Sequence, residues 1–168
     1  MTPLIQTLIG GGLSLLGGLL SPIIVDGFRT KREATNLAFA FAGEITALLR
    51  IVEARHYIED MQRCIAHMQK TNEPVYFSAT IRQDYFRAYQ QNVSRIGLLE
   101  PPLPKHIALF YMQTQSILED MADINDHPKM GRLGGENLLR RYEELLTLLE
   151  SIVALSKQIL GDISKKYR

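Results

Sequence analysis

The stretch from Pro3 to Val25, PLIQTLIGGGLSLLGGLLSPIIV, carries no charged side chain, and Arg29, Lys31 and Arg32 follow almost at once. A helix that crosses the hydrocarbon core of a bilayer needs about 20 predominantly apolar residues, each rising about 1.5 Å. The run supplies them. It therefore predicts an all-α chain: an N-terminal transmembrane helix over residues 1–28 that continues into a cytoplasmic three- or four-helix bundle over residues 29–168. Gly10, Gly11, Gly12, Gly17, Gly18 and Pro22 make the run a weak helix in water. In lipid an unpaired backbone amide is costly, so the helix is still expected there. Pro22 and Gly27 are the expected places for a kink.

The flanks set the orientation. A cleaved signal peptide has a basic leader, a core of about 7–15 apolar residues and an A-x-A-like cleavage site. Here no Lys or Arg precedes the run, the run is longer, and no A-x-A follows it. Arg29, Lys31 and Arg32 then mark the cytoplasmic side and meet anionic headgroups, which places the N-terminus outside. The membrane is expected to be spanned once, with the bulk of the chain on the cytoplasmic side. Cys64 is the only cysteine, so no intrachain disulfide can form, in keeping with a reducing compartment.

Spacing within the run points to helix association. Gly10, Ser14 and Gly18 share one helical face, and Gly17 and Ser21 repeat the spacing on an adjacent strip. Small residues four apart let two backbones approach closely in lipid, so a homo-oligomer is expected. No Asp, Glu, Lys, Arg or His lies inside the run, which argues against a proton relay or an ion site.

Beyond the run the periodicity is helical. Leu37, Phe41, Ile45, Leu48 and Val52 follow a 3-and-4 spacing, and no obvious breaker appears before Lys70 to Pro74, so the first helix is expected to reach about Gln69. Pro74 to Ser78 reads as an extended connector. A short helix is expected from about Ile81 to Ile96, with Gly97 as its cap. Pro101, Pro102 and Pro104 can start a helix but not sit inside one, so a third begins near Leu103. Asn125 to Gly135, with Pro128 and three glycines, reads as a loop. In the last helix Leu138, Tyr142, Leu145, Leu149, Ile152 and Ile159 recur at near-heptad spacing and predict the seam of a bundle or oligomer.

Lys+Arg of 19 against Asp+Glu of 18 leaves a net charge of +1, too even for a nucleic-acid partner. A second basic cluster, Lys165, Lys166 and Arg168, reads as a solvated helix end. Cys64 and His67 share a helical face but lack the further ligands or orienting group that a metal or a nucleophile needs. Acidic pairs such as Glu59-Asp60 and Glu143-Glu144 point about 100° apart and do not converge. No phosphate loop or G-x-S-x-G element is present. No catalytic residue, metal or cofactor is expected, and an enzyme is the least favoured class. Glu44 stands out as a candidate buried charge in the apolar run Leu37 to Ile45, either paired with Arg140 or Arg141 or facing water. The aromatic residues around Tyr76 to Phe86 and Phe110-Tyr111 fit core packing first and an interaction surface second.

The Gly-rich anchor, Lys31-Arg32-Glu33-Ala34, Ala40 to Ile45 and Asn92 to Leu99 together give a chain that resembles uncharacterised bacterial proteins with one N-terminal membrane helix and a cytoplasmic helical bundle. The resemblance spans most of the chain, implies a bacterial inner membrane, and carries no catalytic motif. Two functional expectations follow. One is a non-enzymatic, homo-oligomeric membrane scaffold that recruits a cytoplasmic protein partner. The other is a pore-forming or membrane-perturbing effector, of prophage or anti-phage type, gated by the bundle.

Overall fold

A computed structural model describes the backbone of residues 3–76, 85–130 and 135–167, and the side chains of residues 25–76, 85–124 and 137–167. The elements are α1 (Pro3–Ala54), α2 (Tyr57–Thr71), α3 (Arg87–Asn92), a 3-10 turn (Val93–Leu98), α4 (Leu103–Met130) and α5 (Gly135–Lys166), with no strand among the described residues. Three rods result. α5 is flanked along its length by α4 on one side and by α1 and then α2 on the other.

Directions follow from pairs of contacts. The start of α4 meets the end of α5, because Glu100 donates its backbone N–H to Tyr167 Oη at 2.9 Å. At the other end Asp123 accepts from Arg141 at 2.5 Å, so α4 and α5 are antiparallel. Gln69 donates to Glu143 at 3.0 Å, so α2 continues away from α1 toward the start of α5. The chain must then return. It does so through residues 85–98, which run back along α1: Phe86 is level with Val52 around a shared cavity, and Arg95 reaches Glu33.

The helical core is the one expected from periodicity. Leu37, Phe41 and Ile45 of α1 are buried, as are Leu103, Ile107, Phe110, Ile117, Met121 and Ile124 of α4. On α5, Leu138, Tyr142, Leu145, Leu149, Ile152 and Ile159 are all buried inside this chain, so that seam is filled by the chain's own helices. Burying a large apolar side chain contributes roughly 1.5–3 kcal/mol, and this shared cluster is the main cohesive element.

Four boundaries differ from expectation. The first helix stops at Ala54 instead of near Gln69, because His56 adopts a left-handed backbone (φ 52°, ψ 35°) that redirects the chain into α2. α4 runs through Pro128 to Met130, where a loop was expected from Asn125. The Ile81-to-Ile96 helix is reduced to α3 and the 3-10 turn among the described residues, and Gly97 lies within that turn instead of capping a helix. Through Pro22 and Gly27, by contrast, α1 is unbroken.

Left-handed backbone costs a non-glycine residue roughly 1–2 kcal/mol, and His56 is exposed and contributes no side-chain cap. His56→Gly is therefore expected to stabilise the chain by about 0.5 kcal/mol, the strain relief being offset by glycine's larger unfolded-state entropy. A lower unfolding midpoint in urea for this variant would show that the histidine side chain holds the bend.

Among the described residues no helix is long and apolar enough to cross a membrane. The transmembrane expectation rests on residues 3–24, and their side chains, including those of Gly10, Ser14, Gly17, Gly18 and Ser21, lie outside the described ones.

Candidate functional site

Two places combine polar groups with a defined setting: a carboxylate inside the bundle and a charged collar on α1. The first is Glu44. Its Oε1 accepts the Ala88 N–H at 2.7 Å, and its Oε2 accepts the Tyr89 N–H at 3.1 Å and the Tyr111 hydroxyl at 2.6 Å. The expected partners are elsewhere: Arg140 pairs with Glu144 at 3.3 Å and Arg141 with Asp123. Nor does Glu44 simply face water, being half-buried. Ala88 and Tyr89 sit in the first turn of α3, whose N–H groups have no partner inside the helix. Phe86 precedes them and offers no capping side chain, so Glu44 supplies the cap from a neighbouring helix.

Aromatic rings enclose this node. Tyr89 stacks on Tyr111 with centroids 4.1 Å apart, and Phe86 and Phe110 meet Tyr111 edge-on at 5.5 and 5.1 Å. Phe41 lies 6.3 Å from both tyrosines. Burial, then the hydrogen bond to Glu44, pushes the Tyr111 hydroxyl well above the ordinary tyrosine range, so it stays a donor. The node positions the return segment and joins α1, α3 and α4. Of the aromatic residues weighed as core or surface, Phe86, Phe110 and Tyr111 are buried, while Tyr76 is exposed.

The second place is the collar. Every side chain from Val25 to Arg32 is exposed, and among the described residues the first buried side chain of α1 is Ala34. Val25 is 59% and Phe28 72% exposed, and Arg29, Lys31 and Arg32 lie beside them in sequence. Arg29 pairs with Glu33 at 3.2 Å, and Arg95 from the 3-10 turn reaches the same carboxylate at 3.1 Å. The hydrogen bond from Arg29, aided by Arg95 and opposed by desolvation, holds the Glu33 carboxyl below its ordinary value. Exposed pairs of this kind contribute little to stability.

Other candidates carry less. An apolar cavity of about 70 Å³ lies between α1, α4 and α5, bordered by Leu48, Val52, Phe110, Ile117 and Ile152. Thr114 is the single hydroxyl-bearing side chain besides the tyrosines along it, and it donates to the Phe110 carbonyl at 2.7 Å. A more polar cleft of about 300 Å³ runs past Asp120, Arg140, Arg141 and Glu144, where Arg140 pairs with Glu144 and Arg141 with Asp123. Burial, aided by Asp60, pushes the Cys64 thiol up, which favours its protonated form. No group of three or more His, Cys, Asp or Glu suited to a metal occurs among the described residues.

No family model, curated protein or solved structure matches the chain.

Proposed function

We propose that the chain is a single-pass membrane protein whose helical bundle acts at the membrane surface as a scaffold that recruits a cytoplasmic partner, without catalytic chemistry of its own. The observation that carries the reading is the join between the uncharged run and the bundle. One unbroken helix holds both, and at the join Val25 and Phe28 are exposed beside three cations. Lys and Arg favour the headgroup layer, and apolar side chains such as Val and Phe beside them can sink into the acyl boundary. Association with further copies rests in this reading on Gly10, Ser14, Gly18, Gly17 and Ser21, since the α5 seam is filled within the chain.

The test is extraction of bacterial membranes at high pH. The full chain is expected to stay in the membrane pellet, and Leu15→Arg/Leu19→Arg to release it, since an Arg at a helix centre costs about 2.5–3.5 kcal/mol of insertion free energy. A full chain found in the soluble fraction would overturn the membrane reading. Crosslinking of Gly10→Leu and Gly18→Leu variants then reads association: loss of dimers supports the glycine face, and unchanged dimers remove it. Depolarisation of cells by the unaltered chain, abolished by the same variants, would favour a pore over a scaffold.

A further inference from the structure

Folding gathers cations at one end of the bundle. Arg29, Lys31 and Arg32 flank the uncharged run near the start of the chain, whereas Lys165 and Lys166 lie near its end. The fold brings them to one end. Tyr167 is buried and accepts from the Glu100 N–H, and Lys166 Nζ donates to the Pro101 carbonyl at 2.7 Å, which sets the last turn of α5 against the first turn of α4 and its Lys105. Arg95, a few residues before Glu100, ties the same end to α1 through Glu33. All these cations are exposed, and they outnumber the acids on the same end, Asp26, Glu33, Glu100 and Asp162. Among the described residues Lys31, Arg32, Lys105 and Lys165 have no acidic partner, while Arg29, Arg95 and Lys166 share Glu33 and Glu100. The opposite end is mixed instead, with Arg140 paired to Glu144 and Arg141 to Asp123.

We propose that this basic end is a docking face for an anionic phospholipid bilayer, so that the bundle lies down against the surface instead of hanging free from its anchor. The inference rests on the membrane reading above and extends it from the collar on α1 to Lys105, Lys165 and Lys166. Distance permits it. Leu48 and Leu49 share a cavity with Val153, so antiparallel counting at about 1.5 Å per residue puts Lys165 level with residue 36, roughly 16 Å beyond Val25 along α1. The headgroup layer occupies about 5–8 Å of that, which leaves about one Debye length at physiological salt. An ordinary tilt of the anchor, about 20°, closes the gap further. The complementary partner is a sheet of negative charge, since the cations are spread over the ends of three elements and make no enclosed pocket for a single anion.

The chain contains no tryptophan, so one introduced residue reports its own position. Ser164→Trp in the last turn of α5 and, as control, His67→Trp on α2 are both exposed sites. Each full-length variant is reconstituted into vesicles of phosphatidylcholine alone or mixed with phosphatidylglycerol, with a dansyl lipid as energy acceptor. Transfer from position 164 is expected to rise with phosphatidylglycerol and to fall in high salt, while position 67 stays low in both. A cation near such a surface changes occupancy roughly fivefold, so Lys105→Glu/Lys165→Glu should lower the docked fraction more than tenfold. Neither lysine has an acidic partner among the described residues, so the helix content of that variant is expected to stay unchanged. Equal transfer in both lipids, or transfer indifferent to this variant, overturns the docking face and leaves the anchor standing. Failure of the chain to float with either vesicle overturns the anchor itself, and the docking face with it.

Discussion

Replacing Glu44 with Gln should cost about 2–3 kcal/mol, because hydrogen bonds to a charged acceptor contribute about 1.5–3 kcal/mol and leave their donors stranded when lost. The amide keeps one acceptor oxygen but presents an NH2 toward at least one of the three donors from Ala88, Tyr89 and Tyr111. In a chain of this size that loss lowers the thermal midpoint by roughly 4–12 °C. Tyr111→Phe removes one donor only and should cost less, about 1–1.5 kcal/mol. The double variant tests the arrangement itself. If the two groups act through their mutual bond, its cost falls short of the sum of the singles by about 1 kcal/mol or more, whereas full additivity would place Glu44's effect elsewhere. An unchanged midpoint for Glu44→Gln would show that the carboxylate does not hold α3.

Phe110→Ala should have a larger effect. Phe110 is buried, packs edge-on against Tyr111 and borders the 70 Å³ cavity. Truncation of a buried Phe costs about 3–5 kcal/mol, part of it for the space left behind. Here that space joins an existing void, so collapse is hindered and a value near 4 kcal/mol is expected, a large share of a marginal total stability. The enlarged cavity approaches the size, about 150 Å³, at which an apolar hole stays dry and takes benzene. Benzene should therefore raise the melting temperature of Phe110→Ala and leave that of the unaltered chain in place. No response to benzene would mean that the neighbouring helices close over the gap.

Much of this architecture was legible in local pattern. The 3-and-4 spacing of α5 named its buried face residue by residue, and the prolines at 101, 102 and 104 placed the start of α4. The break between α1 and α2 was legible too, though by phase instead of composition. At 100° per residue, Met61, Ile65 and Met68 point about half a turn away from Phe41, Ile45 and Val52. All but Val52 are buried, and Val52 is half-buried, so no straight helix could bury both sets against α5. With neither Gly nor Pro at the bend, the chain turns on His56. Glu44's partners were not legible, because two of the three are backbone amides, and these carry no mark in a sequence. A search for an opposite charge led instead to Arg140 and Arg141, which answer to acids on their own flank.

The amino-acid pattern alone determined that the chain is helical, which faces are apolar, and that an uncharged run ends in a basic flank. Those properties are local, set by spacing within a turn or two. Tertiary structure decided what meets what: that α5's seam is consumed within one chain, that a carboxylate on α1 caps α3, and that Lys165 and Lys166 share an end with Arg29, Lys31 and Arg32. These depend on the direction in which each rod runs and on the return path of residues 85–98, and both are fixed only when distant side chains compete for the same core.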